Sequence, residues 1–386
     1  MYQLVQEVKL VFGSGCIKNL GTLLLENGLS RAFIVCDPGT VAAGLVARVV
    51  ASLQSVGLAS YVYDQVMPEP SHMIAEKGIE ALNEQGCDVV IGVGGGSSLD
   101  CAKAINILRF NEGPLLRFAG EGTGAPMRRS PHLYLVPTTS GTGSELSDGI
   151  VMSDDEGIKQ GILAVNAKAE YAFLDPELLV TMPRGLTLAT GLDVFSHACE
   201  GYMTTCSNPV SDAIVEKVMQ MVVEWLPVAV EDGTNIEARS QMAIASTLAG
   251  WMLGYAHTNA GHSVAHVLSS LYHIPHGTAC AYATPWILEF NAPAVPQKVR
   301  WVGTLLGASF TGEEGPEEIG RLVREAYLRF RDDTLQMQPA SHYAVDRTLF
   351  AQVAQKISEE MFQAFQPRPM SADDAQEILE KIFAEL

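Results

Sequence analysis

The stretch VVIGVGGGSSLDCAKAINIL, residues 89–108, decides the fold of the N-terminal half. It opens with an apolar, mostly β-branched run, which is typical of a strand buried on both faces. Glycines follow, and a helix-length segment starts at Ser98. Such a turn places backbone N–H groups and the positive end of a helix dipole where a pyrophosphate can bind. A tight turn without a ligand is the alternative interpretation. The predicted phosphate-binding residues are Gly94, Gly95, Gly96 and Ser97.

The same alternation extends through the first half of the chain. Short apolar runs at 8–12, 32–36 and 133–136 predict further strands, and helix-length segments at 39–55 and 74–84 lie between them. This pattern predicts a doubly wound, Rossmann-like α/β domain with a parallel sheet. Beyond residues 182–185 no run favours a strand, whereas helical patterns recur. The 386 residues suit two domains. We predict an α/β dinucleotide-binding domain at 1–184 and an all-α metal-binding, catalytic domain at 185–386.

Specific features define the predicted helices of the second half. Runs at 210–226 and 238–254 are largely apolar, and a stripe at helical spacing ends at Phe330. Ser371 and Asp374 form a capping-box pattern that predicts the start of the last helix. Ile378, Ile382 and Phe383 are expected on its inner face.

Composition excludes several classes of partner. The net charge of −19 argues against nucleic acid and anionic membrane surfaces, which both need a basic face. The 7 cysteines are scattered without a CxxC pair, as expected for reduced thiols. The first residues lack the apolar segment of a signal peptide, and the longest apolar run, 242–256, is too short to span a bilayer. We expect a cytoplasmic protein.

A second loop, PTTSGTGSE at 137–145, follows another predicted strand. Its small and hydroxylated residues can hydrogen-bond the ribose and phosphates of a nucleotide, although a flexible polar loop is the alternative. Asp37 ends the strand at 32–36, where an acid can bind the ribose 2′-hydroxyl and repel a 2′-phosphate. An Asp before Pro is also common in simple turns.

Two clusters in the second half point to a metal. Asp193 and His197 are four residues apart, as are His262 and His266, so each pair lies on one helical face. His276 follows Pro275 and can approach from a loop or a helix start. One carboxylate with three imidazoles forms a mixed N/O site for a divalent first-row metal. Ordinary polar pairs on two helices remain the alternative, because spacing alone does not distinguish them.

With these motifs in place, the chain resembles the iron-containing (group III) alcohol dehydrogenases, which have a dehydroquinate synthase-like fold. The resemblance runs over nearly the whole length. The motifs that carry it are GGGSSLDCAKAI at 94–105, PTTSGTGSE at 137–145, FLDPELL at 173–179, TGLDVFSHACEGY at 190–202 and GHSVAHVLSSLYHIPHG at 261–277.

The resemblance implies roles for individual residues. It implies His266 as the catalytic residue that relays a proton, Lys159 as a cofactor-binding residue, and Asp37 as the acid that favours NAD over NADP. The implied metal ligands are Asp193, His197, His262 and His276. The implied NAD contacts are Gly94, Gly95, Gly96, Ser97, Thr138, Thr139 and Thr142. The chain departs from the usual family pattern at Ser98, Glu69 and Ala169, where Pro, Asn and Pro are common.

The implied activity is a metal-dependent, NAD-linked alcohol dehydrogenase that also reduces aldehydes. Iron(II) is the metal that the resemblance implies, and zinc is also possible because the donors accept either. The implied partners are a small alcohol, diol or aldehyde and a second copy of the chain in a homodimer or larger oligomer. Val194, Phe195, Leu253 and Val264 are expected to line a pocket for a short, uncharged substrate.

Two alternatives to this activity are retained. One is a zinc enzyme of the same fold, such as a glycerol dehydrogenase. The other is a non-catalytic nucleotide- or metal-binding module. A phosphorylated substrate is disfavoured, because residues 190–280 contain only Lys217 and Arg239 as basic side chains.

Overall fold

The computed structural model describes residues 3–119, 127–163, 166 and 168–384. The chain packs into two compact units. Unit 1 comprises residues 1–182 and 234–251, and unit 2 comprises residues 183–233 and 252–386. The predicted α/β and helical domains met at residue 184, so they placed 234–251 in the helical half. The independence of domains with that boundary stays a prediction.

Unit 1 is built on parallel strands. The strands are β1 (Lys9–Phe12), β2 (Arg31–Val35), β3 (Ala59–Tyr63), β4 (Val89–Gly94), β5 (Leu133–Pro137), β6 (Gly149–Ser153), β7 (Lys159–Leu163) and β8 (Tyr171–Leu174). Six of them form one parallel sheet in the order β1-β8-β5-β4-β2-β3, and β6 and β7 form a separate antiparallel hairpin. The parallel sheet confirms the predicted fold class.

Helices cover both faces of this sheet. They are α1 (Leu20–Glu26), α2 (Pro38–Ala42), α3 (Leu45–Gln54), α4 (His72–Gln85) and α5 (Gly96–Phe110). Alternate residues of β4 belong to different cores: Val90 packs in the cluster that contains Leu99 and Ile105 of α5, whereas Ile91 packs with Val49 of α3. A strand with two buried faces reads as a continuous apolar run, which is why β4 was recognisable.

The predicted single helix at 39–55 is wrong in one respect. Gly44 adopts a left-handed conformation with φ of 75° and divides the segment into α2 and α3. The strands β3, β6, β7 and β8 were not predicted. β3 is only partly buried, and the β6–β7 hairpin lies outside the main sheet, so these three strands lack the continuous apolar pattern of β4. β8 is only 4 residues long.

Unit 2 contains helices, and none of its described residues forms a strand, as expected. The helices of the second half are α6 (Arg184–Met203), α7 (Pro209–Glu231), α8 (Ile236–Leu253), α9 (Ala260–Tyr272), α10 (His276–Asn291), α11 (Pro296–Leu305), α12 (Pro316–Leu328), α13 (Phe350–Glu359) and α14 (Ala372–Ala384). Within unit 2, α10 packs against α6, α9, α12 and α14. The predicted capping box holds: Ser371 Oγ accepts from Asp374 N at 3.2 Å, and Asp374 Oδ2 accepts from Ser371 N at 2.9 Å.

Helix α8 is mostly part of unit 1, although it follows unit 2 helices in the sequence. Gly250 lies so close to the loop after β5 that an added Cβ would be 2.1 Å from Gly143 O. Thr247 donates to the buried Glu145 carboxylate at 2.5 Å. Among the described residues, no helix is both long and apolar enough to cross a membrane.

Candidate metal and cofactor sites

The site in unit 2 begins with the close approach of α6 and α10. Gly277 makes this approach possible, since a Cβ there would be 2.3 Å from Ala189 O and 3.2 Å from Asp193 Cβ. His276 is the first residue of α10 and is therefore held beside Asp193. The sequence left open whether His276 approaches from a loop or from a helix start, and the structure shows a helix start.

Three imidazoles surround one carboxylate oxygen. Oδ1 of Asp193 lies 3.7 Å from His197 Nε2, 3.8 Å from His262 Nε2 and 3.7 Å from His276 Nε2. The rings of His197 and His262 are stacked with centroids 4.7 Å apart. The predicted ligand residues thus converge on one point, although they come from three separate helices.

This donor set fits a divalent cation. Two ligands held tetrahedrally at about 2.1 Å from one ion are themselves about 3.4 Å apart, close to the observed separations. Asp193 Oδ1 is buried and accepts no hydrogen bond from the described residues. Burial acts to raise the pKa of Asp193, but the nearby imidazoles, His197 first, hold that pKa below its ordinary value. A cation bound between this buried carboxylate oxygen and the three Nε2 atoms would satisfy all of them.

Glu200, which was not predicted as a site residue, orients His262. Its Oε1 lies 2.8 Å from His262 Nδ1, and its Oε2 accepts from Asn259 N at 2.8 Å and His262 N at 3.2 Å. Gly261 provides the space that the Glu200 carboxylate occupies, since a Cβ there would be 2.4 Å from Glu200 Oε1. Burial acts to lower the pKa of His262, but Glu200 outweighs it and the pKa is raised. Because Nδ1 faces a carboxylate, Nε2 is left to act as a ligand.

Cys280 also lies in the cluster, although it was not predicted as a site residue. Its Sγ lies 3.6 Å from His276 Nε2 and 3.8 Å from His262 Nε2. Donor atoms of Asp193, His262, His276 and Cys280 all lie within 4.8 Å of one another. His197 is not in that tighter set, although it contacts Asp193.

His266 stands beside this cluster and outside it. Its ring centroid is 5.4 Å from that of His276 and 6.4 Å from that of His262. His266 Nδ1 lies 2.8 Å from Glu360 Oε1, and Glu360 Oε2 accepts from Ser263 Oγ at 3.0 Å. Burial acts to raise the pKa of Glu360, but the hydrogen bond and charge of His266 lower it. Sequence reasoning missed Glu360, because it is 94 residues from His266.

The residues expected to line a substrate pocket are core residues in part. Val194 and Phe195 are fully buried, and Phe195 packs against Tyr327 with ring centroids 5.6 Å apart. Their positions on α6 point them into the helical core, so they give no information about substrate size.

In unit 1, the two predicted phosphate loops meet. Gly94 ends β4 with φ of 149°, and α5 begins at Gly96 with no side-chain cap on its first N–H groups. A Cβ on Gly95 would be 3.3 Å from Thr139, and one on Gly96 would be 2.8 Å from Thr142 Cγ2. The loops therefore lie against each other at the carboxyl ends of neighbouring strands, where open α/β sheets bind ligands.

Lys103 of α5 connects this helix to the segment that follows β5 through hydrogen bonds. Its fully buried Nζ donates to Ser144 Oγ at 2.7 Å and Gly149 O at 2.9 Å. Ser144 Oγ also donates to Asp100 at 2.5 Å. Burial lowers the pKa of Lys103. This group ties the helix after the glycines to the segment after the threonines.

Asp37 and Lys159 both have protein partners. Asp37 caps α2, since its Oδ1 accepts from Thr40 N at 2.9 Å and its Oδ2 accepts from Ser98 Oγ at 3.2 Å. The same carboxylate lies beside the glycine loop, because a Cβ on Gly94 would be 3.2 Å from it. Lys159 forms an ion pair with Glu69 at 2.9 Å.

Comparison with known proteins decides the family. Residues 8–176 match the family model described as iron-containing alcohol dehydrogenase, and residues 187–383 match the C-terminal model of the Fe-containing alcohol dehydrogenase family. The chain belongs to the iron-containing alcohol dehydrogenase family.

Individual members of this family resemble the chain along most of its length. Alcohol dehydrogenase 4 of Saccharomyces cerevisiae (strain YJM789) is 35% identical over 310 residues, which are 80% of each protein. The NAD-dependent methanol dehydrogenase of Bacillus methanolicus is 33% identical over 307 residues, 78% of this chain and 79% of that one. A crystal structure of a 1,3-propanediol oxidoreductase superimposes with a TM-score of 0.92 at 30% identity, covering 99% of this chain and 100% of that one.

Proposed function

We propose that this member of the iron-containing alcohol dehydrogenase family interconverts a small alcohol or diol and its aldehyde with NAD as hydride carrier. Family membership and relatives named for alcohol, methanol and 1,3-propanediol support this reaction. The observation that carries the proposal is the convergence of His197, His262 and His276 on the buried Asp193 Oδ1. Side chains so arranged are costly without an ion between them.

Asp193, His197, His262 and His276 are the metal ligands in this proposal. These four residues would hold an iron(II) ion, which would supply Lewis acidity toward the substrate oxygen, and the loops of unit 1 would hold NAD, which would supply the hydride acceptor. Glu200 keeps His262 in the tautomer that leaves Nε2 available. A carboxylate can only accept a hydrogen bond, so the hydrogen of the neutral ring lies on Nδ1, which faces Glu200.

His266 is proposed to move the alcohol proton. Glu360 is an acceptor only, so His266 Nδ1 carries the hydrogen in the bond between them. In the neutral ring Nε2 is then an acceptor and can take a proton. Ser263 and the N–H of Phe362 hold the other Glu360 oxygen, at 3.0 Å and 2.9 Å. These bonds fix the imidazole for proton transfer.

The cofactor assignment rests on unit 1. Gly94, Gly95, Gly96 and Ser97 supply close backbone approach and the N-terminus of α5 for the pyrophosphate. Thr138, Thr139 and Thr142 supply hydroxyls from the adjoining loop. Asp37 favours NAD, because its carboxylate repels a 2′-phosphate. Lys159 binds the cofactor in this proposal by exchanging its Glu69 partner for an anionic group of NAD.

We further infer that the protein is cytoplasmic and, from the family resemblance, a homodimer or larger homo-oligomer. The described residues include all seven cysteines, and none of them forms a disulfide, which suits a reducing compartment. Light scattering of the purified protein measures the subunit number.

Replacement of His262 tests the function. We expect His262→Ala to lose bound metal and NADH formation from short alcohols together. His342→Ala removes an exposed imidazole outside the cluster and should change neither. Full turnover by a metal-free His262→Ala protein would refute the proposal.

A further inference from the structure

Cys280 lies where a metal ligand would lie, one helical turn after His276 on α10. Positions four apart share a helical face, so both side chains point toward Asp193. The thiol is fully buried, and its Sγ is 3.6 Å and 3.8 Å from Nε2 of His276 and His262. These are the same nitrogen atoms that face Asp193 Oδ1.

A buried cysteine is usually a small apolar residue in a core. Two observations separate Cys280 from that ordinary role. Its Sγ lies beside the Nε2 atoms of His262 and His276, which Glu200 and the fold already direct at a common point. The third neighbour, Asp193 Oδ1, is buried and accepts no hydrogen bond from the described part of the chain. A cation would satisfy all of these atoms at once.

The distances agree with a shared ion. A thiolate at about 2.3 Å and an imidazole nitrogen at about 2.1 Å from one ion, arranged tetrahedrally, are about 3.6 Å apart. The two observed Sγ–Nε2 separations are 3.6 Å and 3.8 Å. Donor atoms of Asp193, His262, His276 and Cys280 all lie within 4.8 Å of one another, so Cys280 can bind the same ion as the ligands already proposed.

We propose that Cys280 Sγ is a ligand of the metal, which makes the centre a mixed nitrogen, oxygen and sulfur site. This inference rests on the proposed metal-dependent function and adds a donor to it. A thiolate donor is soft and favours zinc, cobalt and iron over magnesium or manganese. The presence of Cys280 thus shifts the metal preference of the whole site away from hard cations.

Cobalt(II) is the probe, because a cobalt–thiolate bond gives a near-ultraviolet charge-transfer band that imidazole and carboxylate ligands do not give. Full-length protein is stripped with chelator and reloaded with cobalt(II) chloride, and metal content is measured beside the absorption spectrum. We expect the band in the unaltered protein. It should be lost in Cys280→Ser and Cys280→Ala with cobalt still bound. Cys199→Ser, an equally buried thiol on α6, should retain it.

The unaltered protein alone can decide the question if the variants fail to fold. X-ray absorption of the iron- or zinc-loaded protein should detect one sulfur at about 2.3 Å. Bound cobalt without the band, or a band that survives in Cys280→Ser, overturns the ligand assignment. If such a protein still oxidises alcohols, the proposed function stands without Cys280. Failure to bind any divalent metal overturns both.

Discussion

Glu200 is the buried side chain that fixes the orientation of His262. One carboxylate accepts from the ring nitrogen and from two backbone N–H groups, all within 3.2 Å. Removal of its charge weakens the hold on the ring without a change in volume. We expect Glu200→Gln to lower metal affinity roughly 10–100-fold, as for other groups that hold a metal ligand. A chelator competition assay measures this affinity. Glu216→Gln, which alters a carboxylate that accepts a hydrogen bond from the Tyr202 hydroxyl, is the control and should bind metal normally.

Glu360 orients His266 as Glu200 orients His262, but changes to this second pair should lower turnover and not metal affinity. We expect His266→Ala to lower kcat roughly 10²–10⁴-fold, the usual contribution of a positioned proton-transfer group. Metal content should stay normal, since His266 lies outside the donor set. Glu360→Gln should have a smaller effect of the same kind, because the amide can still position the ring. The neighbouring exposed Glu359→Gln provides the control. A fall in metal content in His266→Ala would contradict the assigned role.

Helix α8 depends on two glycines that allow its backbone to contact the loop after β5. A Cβ on Gly250 would be 2.1 Å from Gly143 O and 2.5 Å from Gly143 Cα, and this backbone cannot move like a flexible side chain. We expect Gly250→Ala to destabilise unit 1 by about 1–3 kcal/mol through overpacking. Denaturant unfolding measures the change. Gly185→Ala, in open space near the start of α6, should be neutral or stabilising, and equal losses from both variants would refute this explanation.

The β6–β7 hairpin is joined to α4 through His72. Its Nε2 lies 3.0 Å from Asp155 and its Nδ1 lies 3.1 Å from Glu76. Burial acts to lower the pKa of His72, but these hydrogen bonds, Asp155 first, raise it above 6.5. The raised pKa adds stability that is complete below pH 6.5 and lost as pH rises through the folded pKa.

Hydrogen exchange, corrected for its intrinsic pH dependence, should therefore show a hairpin that is better protected at about pH 6 than at about pH 8. His72→Ala should remove the difference. Protection in the unaltered protein that increases with pH would contradict the sign of the shift.

Elements with a strong apolar period were predictable, and elements defined by contacts were not. The runs that became β4 and α5 carry their own pattern, since one is buried on both faces and the other follows glycines. The strand β3 is half-buried at the sheet edge, so ASYVY lacked that signal. The break at Gly44 depends on a left-handed residue that also suits many ordinary turns.

The metal cluster was partly predictable for the same reason. Spacing of four within a helix connects Asp193 with His197, but it says nothing about partners from other helices. Cys280 follows His276 at that same spacing, and the pattern was available there. Glu200 and Glu360 could be recognised only after the fold brought them to His262 and His266, across 62 and 94 residues.

At the scale of the whole molecule, metal and NAD should stabilise different units, because the proposed metal donors all lie in unit 2 and the proposed phosphate loops all lie in unit 1. A ligand at 100 times its dissociation constant stabilises the state that binds it by about 2.7 kcal/mol. Added cobalt(II) should therefore slow hydrogen exchange in the helices that carry His197, His262 and His276. Added NAD should slow exchange at 94–97 and 138–142. Chelator should reverse the first effect and leave the second intact. Protection of 94–97 and 138–142 by NAD in His262→Ala would show that cofactor binding is independent of the metal. Absence of NAD protection in the metal-loaded protein would refute the assignment of the glycine and threonine loops.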